Sequence, residues 1–192
     1  MMRSIPTSKQ LLKTLAITAA VLVVSPAVPA EVTDSAADGF TVKISVTIHA
    51  SPADVYKRLV GDIGNWWSPA HTFSGDAHNL SIDERPMGCF CEKLPNQGAV
   101  RHMEVIFYQP GKTLRMSGGI GPMQALAVSA VATFSLFAED GGTKLTLTFA
   151  VGGYSPQGLN KAAPLVDTVL TEQIGRLKNY IETGNPAAKD KQ

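Results

Sequence analysis

TVKISVTIHASPADVYKRLV, residues 41–60, sets a strand directly against a capped helix. Val42, Ile44, Val46 and Ile48 alternate with Lys43, Ser45 and Thr47, so one face of an extended segment is apolar. Ser51-Pro52-Ala53-Asp54 then opens a helix. The Ser51 hydroxyl can accept from the free N–H groups, Pro52 fits the first turn, and Asp54 complements the positive end. Val55, Leu59 and Val60 give the helix an apolar face, Gly61 and Gly64 predict its end, and Trp66-Trp67 follow.

Three tight turns further on predict strand registers by pairing arithmetic. Around Asp140-Gly141, partner positions sum to 281, which sets Leu136 on Leu145, Phe134 on Leu147, Ala132 on Phe149 and Ala130 on Val151. Every partner is apolar, as a core-facing pair of strands requires. Around Pro110-Gly111 the sum is 221, placing Phe107 opposite Leu114 and Val105 opposite Met116. Around Pro95 to Gly98 it is 193, placing Phe90 opposite Met103, Glu92 opposite Arg101, Cys91 opposite His102 and Cys89 opposite Glu104. A bulge would shift either of these last two sums by one and exchange the faces. The final element, about residues 164–182, repeats Val166, Leu170, Ile174, Leu177 and Ile181 at helical spacing, with Val169 and Gln173 at the stripe's margin. The expected class is α+β: a curved antiparallel sheet wrapped around a long C-terminal helix, over residues 40–183. Residues 31–39 read as a flexible lead-in and 184–192 as a polar, disordered tail.

The N-terminal segment reads as a removable leader. Arg3, Lys9 and Lys13 precede the uncharged run Leu15 to Val24, and Val28-Pro29-Ala30 offers small residues before a cut. A run of about ten residues falls short of the ~20 that span a bilayer, so the expected protein is periplasmic or secreted without stable membrane insertion. Cutting after Ala30 leaves 14 basic and 16 acidic residues, a net −2 with scattered charges. Without a basic stripe, nucleic acid is excluded as an expected partner. Two cysteines, Cys89 and Cys91, are too few for a disulfide framework.

Thr41 to about Thr183 resembles the SRPBCC (START/Bet v 1-like) superfamily with its helix-grip fold. The branch it is similar to is that of the Hsp90-ATPase activator C-terminal domain and the polyketide cyclase/dehydrase proteins. The resemblance rests on Ser51-Pro52-Ala53-Asp54-Val55-Tyr56, Asn65-Trp66-Trp67-Ser68-Pro69, Arg85-Pro86-Met87-Gly88, Gln109-Pro110-Gly111-Lys112-Thr113-Leu114 and the closing amphipathic helix. It implies a pocket between sheet and helix for an apolar or amphipathic ligand. Chaperone activation is not expected, because an exported chain does not meet cytosolic Hsp90. One such scaffold hosts binders, transporters and enzymes alike, so the resemblance bears on fold more than on activity.

The candidate pocket residues are Trp66, Trp67, Phe90, Met103, Val105, Phe107, Met116, Phe134, Phe149, Val166 and Leu170, with Leu114, Leu147 and Ile174 on the same faces. A guest there would be a small hydrophobic molecule; the bland alternative is a core packed solid. Cys89, Cys91, His102 and Glu104 share the other face under the 193 register, where two thiolates, an imidazole and a carboxylate suit zinc. The same cysteines could form a disulfide or remain two small strand residues, and regular strand spacing strains such a bridge. With the faces exchanged, His102 or Glu104 would enter the pocket and could serve proton transfer in a cyclase, dehydratase or hydrolase. His71, Asp76 and His78 share a loop that nothing shapes into a metal site. Gly118-Gly119-Ile120-Gly121-Pro122-Met123 lacks the Lys-Ser/Thr of a phosphate loop and reads as a connection or a cavity flap. No cofactor motif and no nucleophile elbow is present. The expected function is binding of a hydrophobic or amphipathic molecule, with an enzyme as the alternative.

Overall fold

The computed structural model describes Met1 and residues 30–187. The alternation after residue 39 forms β2 (Gly39–Ile48), which buries Phe40, Val42, Ile44, Val46 and Ile48. Ser51 caps α1 (Pro52–Gly61), its hydroxyl accepting from the Asp54 N–H at 3.2 Å. A second short helix, α2 (Ile63–Trp66), restarts at once and carries Gly64 in its middle. Gly64 therefore does not end a helix as the sequence suggests. A Cβ there would lie 3.0 Å from both the Ala77 carbonyl and the His78 Cα, so the glycine admits a close chain crossing.

The remaining strands are β3 (Leu80–Ile82), β4 (Cys89–Lys93), β5 (Ala99–Gln109), β6 (Thr113–Gly118), β7 (Ala127–Glu139) and β8 (Gly142–Tyr154). Together with β1 (Ala30–Ala36) they make one eight-stranded antiparallel sheet in the order β1-β2-β8-β7-β6-β5-β4-β3. The sheet curves without closing. Helix α3 (Ala163–Thr183) lies in its concavity and buries Leu170, Gln173, Ile174 and Leu177. The expected α+β helix-grip architecture is the one observed.

The register around Asp140-Gly141 holds at every pair, from Ala127↔Tyr154 to Glu139↔Gly142. The other two break where a bulge intervenes. In β5–β6, Val105 faces Met116 as expected, but Ile106 is left over and Phe107 pairs with Arg115 instead of Leu114. Phe107 is thereby turned outward, 46% exposed, with the Arg115 guanidinium 5.5 Å from its ring centroid. In β4–β5, Cys89↔Glu104 and Phe90↔Met103 hold, yet Cys91 faces Arg101 and Glu92 faces Val100. His102 is the extra residue, so His102 and Met103 both turn inward.

Residues 31–36 are not a flexible lead-in: they belong to β1, an edge strand paired with β2. Val32 packs against the core while Glu31 and Asp34 remain exposed, a charged rim of the kind that discourages further strand addition. The expected leader, apart from Met1 and Ala30, and the tail beyond 187 lie outside the described residues. No helix among the described residues is long and apolar enough to cross a membrane.

Candidate functional site

Between α3 and the sheet lies a cavity of about 30 Å³. Each strand from β3 to β8 sends at least one inward side chain to it: Ile82, Phe90, Met103, Met116, Ala132 and Phe134, Leu147 and Phe149. Leu59, Ile63, Trp66 and Trp67 form the wall on the helical side, and Leu170, Gln173 and Ile174 of α3 close it. Ile82 and Ile120 alone among the lining residues are half-buried rather than buried, which puts the mouth between them. The volume suffices for one or two waters and is far below the several hundred Å³ of a drug-sized pocket.

Of the candidate pocket residues, Trp66, Trp67, Phe90, Met103, Met116, Phe134, Phe149 and Leu170 meet at this cavity. Val105 is fully buried elsewhere in the core, and Val166 packs against the core at its edge. Phe107 is excluded by the bulge at Ile106.

The wall's polar atoms are all engaged. The Trp66 indole N–H donates to the Arg58 carbonyl at 3.2 Å and that of Trp67 to the His71 carbonyl at 3.1 Å. Gln173, which the sequence places only at the stripe's margin, accepts from the Ser68 N–H at 2.8 Å and donates to the Val169 carbonyl at 3.3 Å. Arg176 donates to the Trp66 carbonyl at 2.9 Å. These bonds fasten α3 to the Trp-Trp segment, so the interior offers a guest an apolar surface.

Beside the cavity lies a buried pair that the sequence reading missed, Glu92 with His102, at 1% and 5% exposure. Their Oε2 and Nε2 are 3.0 Å apart. Glu92 also accepts from the Phe73 and Ser74 backbone N–H groups. Gln124 Nε2 lies 3.3 Å from His102 Nδ1. A Gln amide can only donate there, so Nδ1 accepts and Nε2–H donates to Glu92. Burial pushes the Glu92 carboxyl up, but hydrogen bonds from Ser74, Phe73 and His102 outweigh it and hold the group below its ordinary range. Burial likewise drives His102 below its ordinary value, against the pull of Glu92. The imidazole stands between Phe90, 5.0 Å away, and Phe73, 6.0 Å away by ring centroid. The signal was present: Glu92 shares the parity of Phe90, and only a bulge brings His102 to the same side.

The four expected metal ligands are not brought together. Cys89 and Cys91 are bonded to each other, Glu104 accepts from Arg101 at 2.9 Å on the outer face, and His102 lies on the inner one. The disulfide, awkward for a regular strand, is accommodated by a Cα–Cα distance of 5.3 Å at the step where the register shifts. His71 bonds Glu172 at 3.0 Å while His78 bonds Asp76 at 2.9 Å, so these loop residues do not converge either. Among the described residues no group of His, Cys, Asp or Glu is arranged to hold a metal.

Residues 39–182 match the family model described as polyketide cyclase / dehydrase and lipid transport. The chain belongs to this family, within the SRPBCC superfamily. Solved structures with the same fold include an uncharacterised protein of Rhizobium leguminosarum (TM-score 0.57, 19% identity, 76% of this chain and 95% of that one). A protein of Arthrobacter aurescens aligns over 87% of this chain and 99% of its own, with TM-score 0.57 and 15% identity. The Aha1 dimer of Colwellia psychrerythraea aligns over 75% and 97%, with TM-score 0.53 and 18% identity. At these identities the likeness concerns the fold. No curated protein shows significant sequence similarity to the chain.

Proposed function

We propose that this domain is an exported binding protein, periplasmic or secreted, for a small hydrophobic or amphipathic molecule taken up between α3 and the sheet. The observation that carries the reading is the composition of the cavity wall, apolar side chains from six strands and from α1, α2 and α3 with Gln173 as the one polar member. The family description, which includes lipid transport, supports it. The leader-like residues 1–30 support the exported half of the reading.

A cavity of about 30 Å³ is a closed form, so binding must enlarge it. Met103 and Met116 are unbranched and can re-pack around a guest. The mouth residue Ile120 belongs to a segment that leaves β6 at Gly118, where φ is +150° and a Cβ would meet the His102 carbonyl at 2.6 Å. Displacing Ile120 outward would open the space without unpairing a strand. The apolar part of the guest would lie inside, gaining about 25 cal/mol per Å² buried, with any polar end at Ile82 and Ile120. The Glu92–His102 pair spends its hydrogen bonds on the protein itself, which favours a binder over an acid–base enzyme.

Native mass spectrometry of the purified chain should reveal a co-purified apolar molecule, and dodecanoic acid should shift Trp66 and Trp67 emission saturably. Ala132→Phe, which fills the cavity from the sheet side, should abolish that shift while circular dichroism stays unchanged. A folded wild-type protein with no guest and no emission change would overturn the reading.

A further inference from the structure

Cys89 and Cys91 sit two positions apart on one strand, joined by a disulfide, with Phe90 between them. A cross-link stabilises mainly by restricting the unfolded chain, and the restriction grows with the loop it closes. This loop is near the smallest a disulfide can close. Nor does the bond tie separate elements together: β4 is already hydrogen-bonded to β3 on one side and β5 on the other. The bond therefore contributes little as a staple.

Its setting suits chemistry instead. Both cysteines are half-buried rather than buried, on the face of the sheet away from α3. The bulge at His102 gives the two sulfurs different neighbours. Cys91 is paired with Arg101, and Cys89 with Glu104. Cross-strand partners on one face bring their Cβ atoms to about 5 Å, so the side chain that starts beside Cys91 is a cation and the one that starts beside Cys89 a carboxylate. Arg101 and Glu104 also bond each other at 2.9 Å on that face. A thiolate is stabilised by a neighbouring cation and disfavoured by a neighbouring anion.

We infer that Cys89–Cys91 is an exchange-active disulfide that oxidises a dithiol, with Cys91 as the leaving thiolate. The partner's first thiolate attacks Cys89 Sγ, forming a mixed disulfide as the Cys89–Cys91 bond breaks. The electron pair leaves on the Sγ of Cys91, the cross-strand partner of Arg101, and is protonated from solvent. The partner's second thiol, as thiolate, then attacks its own sulfur in the mixed disulfide and releases Cys89, which takes up a proton. The net change is a two-electron transfer: the protein ends as a dithiol and the partner as a disulfide. The site lies outside the apolar cavity, so it stands or falls independently of ligand binding.

Oxidised full-length protein should be reduced by millimolar dithiothreitol within minutes without denaturant, at a rate proportional to reductant concentration. The product should stay folded, with only a small drop in Tm. Arg101→Met should slow reduction by up to about fourfold, the most that a unit charge no nearer than ~5 Å is worth in well-solvated surroundings, and Glu104→Gln should not slow it. In Cys89→Ser, the lone Cys91 should react with iodoacetamide at a lower pH than the lone Cys89 of Cys91→Ser. Reduction no faster than global unfolding, free thiols after air oxidation, or an Arg101→Met rate equal to wild type would each overturn the assignment.

Discussion

Two hairpins of this sheet are built on opposite plans. The β7–β8 hairpin pairs without interruption from Ala127↔Tyr154 to Glu139↔Gly142, and apart from Thr143 at its turn end its inward positions, Ala132, Phe134, Leu136, Leu145, Leu147 and Phe149 among them, are apolar. The β4–β5 hairpin shifts register at its middle, turns two successive residues inward, and buries an acid against an imidazole. Unbroken alternation yields a wall whose stability is spread over many equivalent contacts. A bulge concentrates polarity in one place, and every group there depends on its partners. The regular hairpin should therefore tolerate loss of its charges, and the irregular one should not.

The sharpest way to break that contrast is Glu92→Ala. It would leave the Phe73 and Ser74 N–H groups without an acceptor and His102 Nε2–H without its partner. Each buried donor left without an acceptor costs about 1–3 kcal/mol, so losing the acceptor shared by these three removes a large share of the stability of a domain this size. Urea unfolding at pH 7 should show the midpoint drop accordingly, and Glu92→Gln should recover part of it by keeping an acceptor. A midpoint unchanged in Glu92→Ala would mean that the pair is incidental and the two hairpins are alike.

The same contrast explains what the sequence made legible. Strand β2, the capped helix α1, the β7–β8 register and α3 follow from periodicity and turn chemistry, because each is locally regular. The register at Phe90↔Met103 and Val105↔Met116 was also readable, since it holds on one side of each bulge. What was not readable is where an extra residue enters. His102 and Ile106 carry no turn residue or glycine to mark them, and a bulge at either moves everything beyond it to the other face. Hence Phe107, which alternation places inside, lies outside, and Glu92, which the turn sum sets opposite Arg101, faces Val100 and bonds His102. The metal site failed for the same reason, since it needed His102 on the outer face. Gln173 and Arg176 were hidden differently: their partners are backbone groups of a loop whose path no periodicity specifies.

A second, smaller effect should appear on acidification. The ordinary value for His102 is 6.5, and burial lowers it in the folded protein. The unfolded chain thus takes up this proton first as pH falls, and stability present at neutral pH is lost from about that value downward. Glu92 is also depressed, from an ordinary 4.5, so its contribution is complete above that pH and lost as pH falls through the folded value. Both losses run the same way. Other charged groups near the pair, Arg101 and Glu104, lie on the opposite face and bond each other. Denaturation midpoints should therefore decline below neutrality, and His102→Gln should remove the first limb while leaving the second. A midpoint flat from pH 7 to 5 in the wild type would contradict the buried, neutral imidazole.

The smallest expected effect lies in the regular hairpin and completes the comparison. Lys144 and Glu139 flank the Asp140-Gly141 turn, with Nζ and Oε1 3.6 Å apart, and their side chains are 49% and 40% exposed. In that setting the attraction is screened, and ordering two long side chains offsets most of it, so such pairs contribute about 0–1 kcal/mol. Lys144→Ala should move the urea midpoint by less than about 0.5 kcal/mol equivalent, and added salt should shrink even that. The register itself would survive, because it is set by the apolar pairs Leu136↔Leu145 and Phe134↔Leu147 and by the turn glycines, not by the ion pair. A loss comparable with that of Glu92→Ala would show that this hairpin, too, depends on a charged contact, and the distinction between the two halves of the sheet would have to be abandoned.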